Sequence, residues 1–438
     1  MSNIKESQLR GAIRSAREFI ENVNAGITKS RVVANAPARW DKRMGQLMLS
    51  TESLNRESDI VDALHDAVRG KQIEVWSRPG VEKQFTTALH SALGIYPHDE
   101  GDFANRQNAA IEELNNSLRV PLREWQFIFP ILGLRVLEEP FVIANLNFCR
   151  STEANLDRLC EHVDDIVRES LHTEAEKEDI RRIYREQIDR VFTNTTLATV
   201  TVTAAEKQAA KHLAYQDLLE VVDILNYFSI ALYPTDLRVS IRLPAESRGG
   251  RQELMSFETD EKFSMDFTNE GPIQDFDLSE IDDDKSTRIG LSRIKELMSK
   301  PAKSELDRSI IAAARIAGKA QFAVRREDAF LLFAIALESL IVGGNEKTDL
   351  TYKLSARCAH LLGDNLQTRI RIRDMVKKLY GIRSGIVHRG QASFPDSDLK
   401  ILRSFALRTV RAFLTNDELQ RIEKKADLEA WFENRMLS

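Results

Sequence analysis

Apolar residues recur every three or four positions through most of this chain, and that spacing predicts helices. Near the start, Leu9, Ile13, Phe19 and Ile20 share one face, and Ile60, Leu64 and Val68 share another, so residues 5–70 read mainly as helix. Between them Arg31 to Arg43 is basic and holds Pro37, which predicts one break. Trp40, among Arg39, Lys42 and Arg43, reads as a packed loop tryptophan, with stacking on a base as the alternative.

The period shifts towards two at 125–148. Trp125, Phe127, Phe129, Ile131 and Leu132, then Phe141 to Phe148, predict strands divided by Glu138-Glu139-Pro140. Residues 152–193 return to charged helix. Thr199 to Thr203 predicts a short strand, 204–231 a long helix, and Leu237 to Leu243 and Glu253 to Phe267 two more strands flanking a turn at Ser247 to Arg251. Residues 269–287 are polar and acidic and read as a linker or exposed loop. From about 290 the pattern is helical again, with expected helices at 303–323, 325–342, 350–362, 365–389, 396–416 and 416–435. Gly343-Gly344, Gly363 and Gly390 stand at helix ends. No internal repeat is present.

The expected fold is α+β: a helical region over 1–75, an α+β region over 76–275, an acidic linker over 276–295, and an all-α helix bundle over 296–438. With 438 residues, 42% hydrophobic and 29% charged, the chain has material for two or three globular cores. Cys149, Cys160 and Cys358 form no CxxC and no even framework, which points to packing thiols in a reducing cytoplasm. The first residues lack the apolar stretch of a signal peptide. The longest apolar run, Ala329 to Val342, contains Glu338 and is too short to span a bilayer, so no membrane partner is expected.

Charge changes the picture. The net of −5 divides into 24 basic and 17 acidic residues over 301–438, and 38 and 50 over 1–300. Within 369–389, Arg369, Arg371, Arg373, Lys377, Lys378, Arg383 and Arg389 face only Asp374. Such a run is a solvated helix face or a surface for a polyanion. The aspartates Asp275, Asp277 and Asp282 to Asp284 lack the histidine or glycine pattern that closes a metal shell, so no metal is expected there. There is no G-x-x-x-x-G-K-[ST], no G-x-G-x-x-G after a strand, no H-E-x-x-H and no G-x-S-x-G.

The chemistry concentrates in Leu379-Tyr380-Gly381-Ile382-Arg383-Ser384-Gly385-Ile386-Val387-His388. An arginine offers a cationic fork for phosphate, and a histidine moves protons near neutral pH. On a helix, Ile372, Val376, Leu379 and Ile386 form an apolar stripe that also carries Arg383. A guanidinium there needs a carboxylate or an open interface. Glu338, inside its own apolar run, needs a cation, for which Arg383 and Arg357 both qualify. Five residues along a straight helix is about 140° around its axis, so Arg383 and His388 diverge unless the helix distorts or a second chain supplies the missing partner.

Three stretches together resemble the Apea-like branch of the HEPN superfamily. These are Phe330 to Ile341 with its embedded Ala-Leu-Glu338, Lys353-Leu-Ser-Ala-Arg357, and the Leu379 to His388 stretch. The likeness covers about residues 300–415. It implies a HEPN-type helix bundle, a homodimer or higher oligomer with a composite site, and metal-independent RNA cleavage without a cofactor. In that chemistry the ribose 2′-OH attacks phosphorus to leave a 2′,3′-cyclic phosphate. The resemblance gives His388 the general acid–base role, Arg383 the phosphoryl charge, Ser384 an orienting role and Glu338 the positioning of Arg383. Arg371, Arg373, Lys377, Lys378 and Arg389 would then hold the RNA backbone. Proteins of this type often act as defence or toxin effectors, which implies a protein or nucleic-acid trigger at the N-terminal region, with residues 76–275 as the sensor or regulatory part. Some carry a tyrosine just after the histidine as a modification site; here Arg389-Gly390 follows, so that regulation is not expected. Two other readings remain: a non-catalytic module that binds RNA or a nucleotide, and a dimerisation bundle without a ligand.

Overall fold

A computed structural model describes residues 5–29, 38–41, 46–68, 76–94, 102–136, 139–168, 172–232, 239–243, 251–257, 263–269, 275–342, 350–390 and 393–437. The chain forms two compact units, one of residues 1–127 with 201–216 and one of 128–200 with 217–438.

The first unit is helical: α1 (Glu6–Lys29), α2 (Thr51–Val68), α3 (Arg78–Ala92) and α4 (Phe103–Ser117), with a hairpin of β1 (Ala38–Asp41) and β2 (Gln46–Leu49) between α1 and α2. Trp40, expected in a loop, lies on β1 opposite Leu47. Leu9, Phe19, Ile20 and Leu64 pack in one core with Trp76, Phe85, Leu89 and Leu114. The helical layer therefore continues past residue 75, because α3 and α4 complete the apolar face that α1 and α2 leave open. Ser77 caps α3, accepting from Gly80 N, and gives its own N–H and hydroxyl to Glu206 Oε1, which also accepts from Ala209 N. One carboxylate thus serves two helix N-termini.

The second unit opens with a four-stranded sheet in the order β3 (Arg123–Ile131), β7 (Thr196–Ala204), β6 (Leu146–Arg150) and β5 (Phe141–Ile143), with antiparallel β5–β6 and β6–β7 pairs. The helices α5 (Glu153–Arg168) and α6 (Glu174–Phe192) intervene between β6 and β7. Then comes α7 (Lys207–Leu232), whose Val221, Leu225, Tyr227 and Phe228 are fully buried. Of the strand expected at 237–243, residues 239–243 are described, and they make a single bridge, Leu132 with Arg242. The cause is Asn226, whose side-chain amide takes both the N–H and the C=O of Ile241 at 2.9 Å and so replaces a strand partner. Residues 253–267 form an antiparallel hairpin, β8 (Arg251–Phe257) with β9 (Phe263–Asn269); the expected turn at 247–250 lies outside the described residues.

The expected acidic linker is instead built into this unit. β10 (Phe276–Asp277) pairs in parallel with β4 (Leu134–Arg135), and α8 (Asp283–Ile289) and α9 (Leu291–Ser299) follow. Acidic residues mark helix starts here: Asp277 caps a 3-10 turn at Leu278–Glu280 and Asp282 caps α8, while Ile289, Leu291, Ile294 and Leu297 of α8 and α9 are buried. Gly290, at φ 85°, ends α8 and begins α9; a Cβ there would meet the Leu414 side chain.

Further helices follow: α10 (Glu305–Ala320), α11 (Arg326–Ile341), α12 (Leu350–Leu362), α13 (Leu366–Arg389), α14 (Asp396–Thr415), the short α15 (Asp417–Gln420) and α16 (Lys425–Leu437). The helix expected at 416–435 is thus two, divided at Arg421 to Lys424. The α10, α11 and α14 helices pack on one another, and α13 packs on α11 and α12. Gly318 of α10 sits so close to the Asp223 carbonyl of α7 that no side chain fits between them. Gly343-Gly344 lies outside the described residues.

Candidate functional site

The α13 helix carries all but one of the residues singled out for chemistry. Asn365 caps its start by accepting from Thr368 N, and Gly390, at φ 67°, ends it with its N–H on Ile386 O. Ile372, Val376, Leu379, Gly385 and Ile386 face inward and are buried. The helix is continuous through Ser384-Gly385, so the distortion that could have turned His388 toward Arg383 is absent.

Arg383 lies on the flank of the buried stripe and meets Glu338 of α11. Its Nε is 3.2 Å from Glu338 Oε1, and its Nη2 donates to Oε2 at 3.4 Å. The pair is mostly buried, with side chains 24% and 18% exposed. It is not a two-bonded fork: Nε and Oε1 are both buried, yet meet too obliquely to share a hydrogen bond. Burial pushes the Glu338 carboxyl up, and the neighbouring Arg383 charge and its hydrogen bond only partly oppose this. The Tyr380 ring lies 5.6 Å from the guanidinium carbon. Its hydroxyl is also pushed up, first by burial and then by the Glu338 charge, with Arg383 opposing. Arg357, the other cation considered for Glu338, donates to Ile341 O at 2.9 Å and stacks over Phe432.

His388 stands in the last turn of α13, exposed, and makes no hydrogen bond or ion pair with the other described residues. It shares the outward face with Ile370, Lys377 and Gly381, and a Cβ on Gly381 would meet nothing within 4 Å. Arg383 and His388 are therefore about 140° apart around the axis and about 7.5 Å apart along it. Within one chain they do not converge. Ser384 is half-buried between them.

The basic residues differ in freedom. Arg371 and Lys377 are exposed, with no partner among the described residues; Arg389 is exposed, its guanidinium folded near Gly385. Arg373 pairs with Asp374 at 2.8 Å. Lys378 gives its ammonium to Asp398 Oδ1 at 2.7 Å, and that carboxylate is only 3% exposed. Asp398 needs this cation, so Lys378 is engaged in the fold. The sequence contained Asp398 but gave no sign that it would be buried.

Elsewhere, no three His, Cys, Asp or Glu side chains among the described residues converge to hold a metal, the acidic stretch 275–284 included. No helix among the described residues is long and apolar enough to cross a membrane. No family model matches the chain, and no curated protein or solved structure does either.

Proposed function

We propose that this protein is a metal-independent endoribonuclease of HEPN type whose cleavage site is completed by a second copy of the chain. The observation that carries the reading is the pairing of two features on α13. A guanidinium is held by a carboxylate, and an exposed, unengaged histidine lies one and a half turns further on a cationic face. In an antiparallel meeting of two such helices, Arg383 of one chain approaches His388 of the other. Leu366, Ile370 and Val387, 42–73% exposed on the same helix, supply apolar surface for that meeting.

In the proposed reaction His388 takes the proton of a ribose 2′-OH, or delivers one to the leaving 5′-oxygen. Arg383, steered by Glu338, stabilises the charge that builds on the phosphoryl oxygens. Ser384 orients the phosphate, and Arg371, Lys377 and Arg389 track the backbone. A defence or toxin role in the cytoplasm, restrained or triggered by the N-terminal region of residues 1–300, is part of the same proposal. Because residues 217–300, with most of α7 and all of α8 and α9, belong to the second unit, restraint is better tested by surface substitutions within residues 1–127 than by truncation near residue 290.

The test is incubation with a mixed RNA pool in EDTA, the native protein beside His388→Ala. Cleavage by the native protein alone supports the reading; equal cleavage by both contradicts it. The divergence of Arg383 and His388 within one chain favours a second reading, a non-catalytic RNA- or nucleotide-binding module. In that case RNA binds in a salt-dependent way and stays intact.

A further inference from the structure

We infer that the α5–α6 arm is a self-association surface, through which two copies of this chain pair α6 against α6 in antiparallel orientation. The inference does not depend on the ribonuclease reading. Adjacent antiparallel strands need only a tight turn, yet residues 151–195 intervene between β6 and β7 and form two helices packed on each other. One face of α6 is used within the arm. Arg181 and Arg185 reach Asp164 of α5 at 3.6 and 2.9 Å, and Ile188 is the one buried residue of the helix.

At about 100° per residue, a second stripe lies beside that face: Ile180, Ile183, Tyr184, Gln187 and Val191. Ile183 and Tyr184 are each 48% exposed, and Ile180 and Val191 are only half-buried. The spacing of three, four and seven is that of a helix seam, which buries its apolar residues only against another helix. A seam of this length is left open on a helix of about 28 Å.

Charge selects the occupant. Glu176 and Asp179 flank the seam near the start of α6, and Arg190 flanks it near the end. A second α6 laid parallel sets Glu176 against its own copy, while Asp179 is already paired with Arg182 at 2.8 Å. Laid antiparallel about Ile183, it sets Glu176 of each chain beside Arg190 of the other, twice by symmetry. Glu176 uses Oε2 for the Thr173 cap, which leaves Oε1 for this contact. The surface is thus complementary to itself in one orientation. One helix pair falls at the small end of specific interfaces, roughly 1,200 Å² or less, so association belongs in the micromolar range.

Sedimentation equilibrium of the full chain across micromolar concentrations tests this, comparing the native protein with Ile183→Glu. Residue 183 is exposed enough for the substitution to leave the fold intact, which circular dichroism verifies. The expected result is an average mass that climbs with concentration toward twice the monomer's for the native protein and stays lower for the variant. An unchanged mass would overturn the inference. As an independent readout, Ile183→Cys lies on the two-fold axis and should crosslink two chains on mild oxidation, beyond the background of Cys149 and Cys160 in the native protein. Failure to crosslink would equally overturn it.

Discussion

Replacing Lys378 by Met separates a fold effect from a binding effect on the same helix. Asp398 is 3% exposed, its Oδ1 is 2.7 Å from the Lys378 ammonium, and its Oδ2 is buried without a partner. Removing the ammonium leaves a buried carboxylate with no cation. Loss of one partner from a buried pair costs about 3–5 kcal/mol. Two features reduce this: Lys378 is half-exposed, and Asp398 sits in the first turn of α14, where the helix dipole favours an anion by about 0.5–1 kcal/mol. A loss of about 2–3 kcal/mol is expected at neutral pH.

Urea unfolding at neutral pH, with Asp398→Asn/Lys378→Met as reference, reads the effect. Native stability in Lys378→Met would refute the reasoning. So would a loss that the double variant does not relieve.

Three other perturbations follow from the geometry. Arg403 is half-buried with no partner among the described residues, and burial pulls its pKa down, so Arg403→Met should raise Tm by about 2–4 °C by calorimetry. Gly80→Ala puts a Cβ into the Glu206 carboxylate; displacing it from Ser77 and Ala209 should cost about 1–3 kcal/mol and speed hydrogen exchange at those two amides, an effect that Glu206→Gln should largely share. Burial first, then the Arg369 charge, lowers the pKa of His360, so the unfolded chain binds its proton first. The stability His360 contributes is present above the ordinary imidazole value and is lost as pH falls below it. His360→Asn should flatten the stability–pH curve there in urea unfolding.

The helices of the C-terminal bundle were legible because each alternates one buried stripe with a polar face. The Leu350–Leu362 helix falls on its expected bounds, and those of α10, α11, α13 and α14 fall within a few residues of theirs. Residues 276–295 were misread because acidic side chains that cap helices look, in sequence, like those of a solvated linker. The extent of the first unit was hidden because α3 and α4 join α1 and α2 through long-range packing that no local period reports. At the candidate site, the sequence showed that Glu338, a lone charge in an apolar run, needs a cation, but it left Arg383 and Arg357 equally eligible; the packing of α13 on α11 decides for Arg383. The divergence of Arg383 and His388 was foreseeable from helix geometry. The engagement of Lys378 was not, since nothing near Asp398 in the sequence marks it as buried.

The most direct test of the proposed chemistry is the end group left on cleaved RNA in the presence of EDTA. The account predicts 2′,3′-cyclic phosphate and 5′-hydroxyl ends by mass spectrometry, produced by the native protein and not by His388→Ala, and no product when the ribose 5′ to the scissile phosphate lacks its 2′-OH. Cleavage of that deoxy substrate, or 3′-hydroxyl and 5′-phosphate ends, would contradict it.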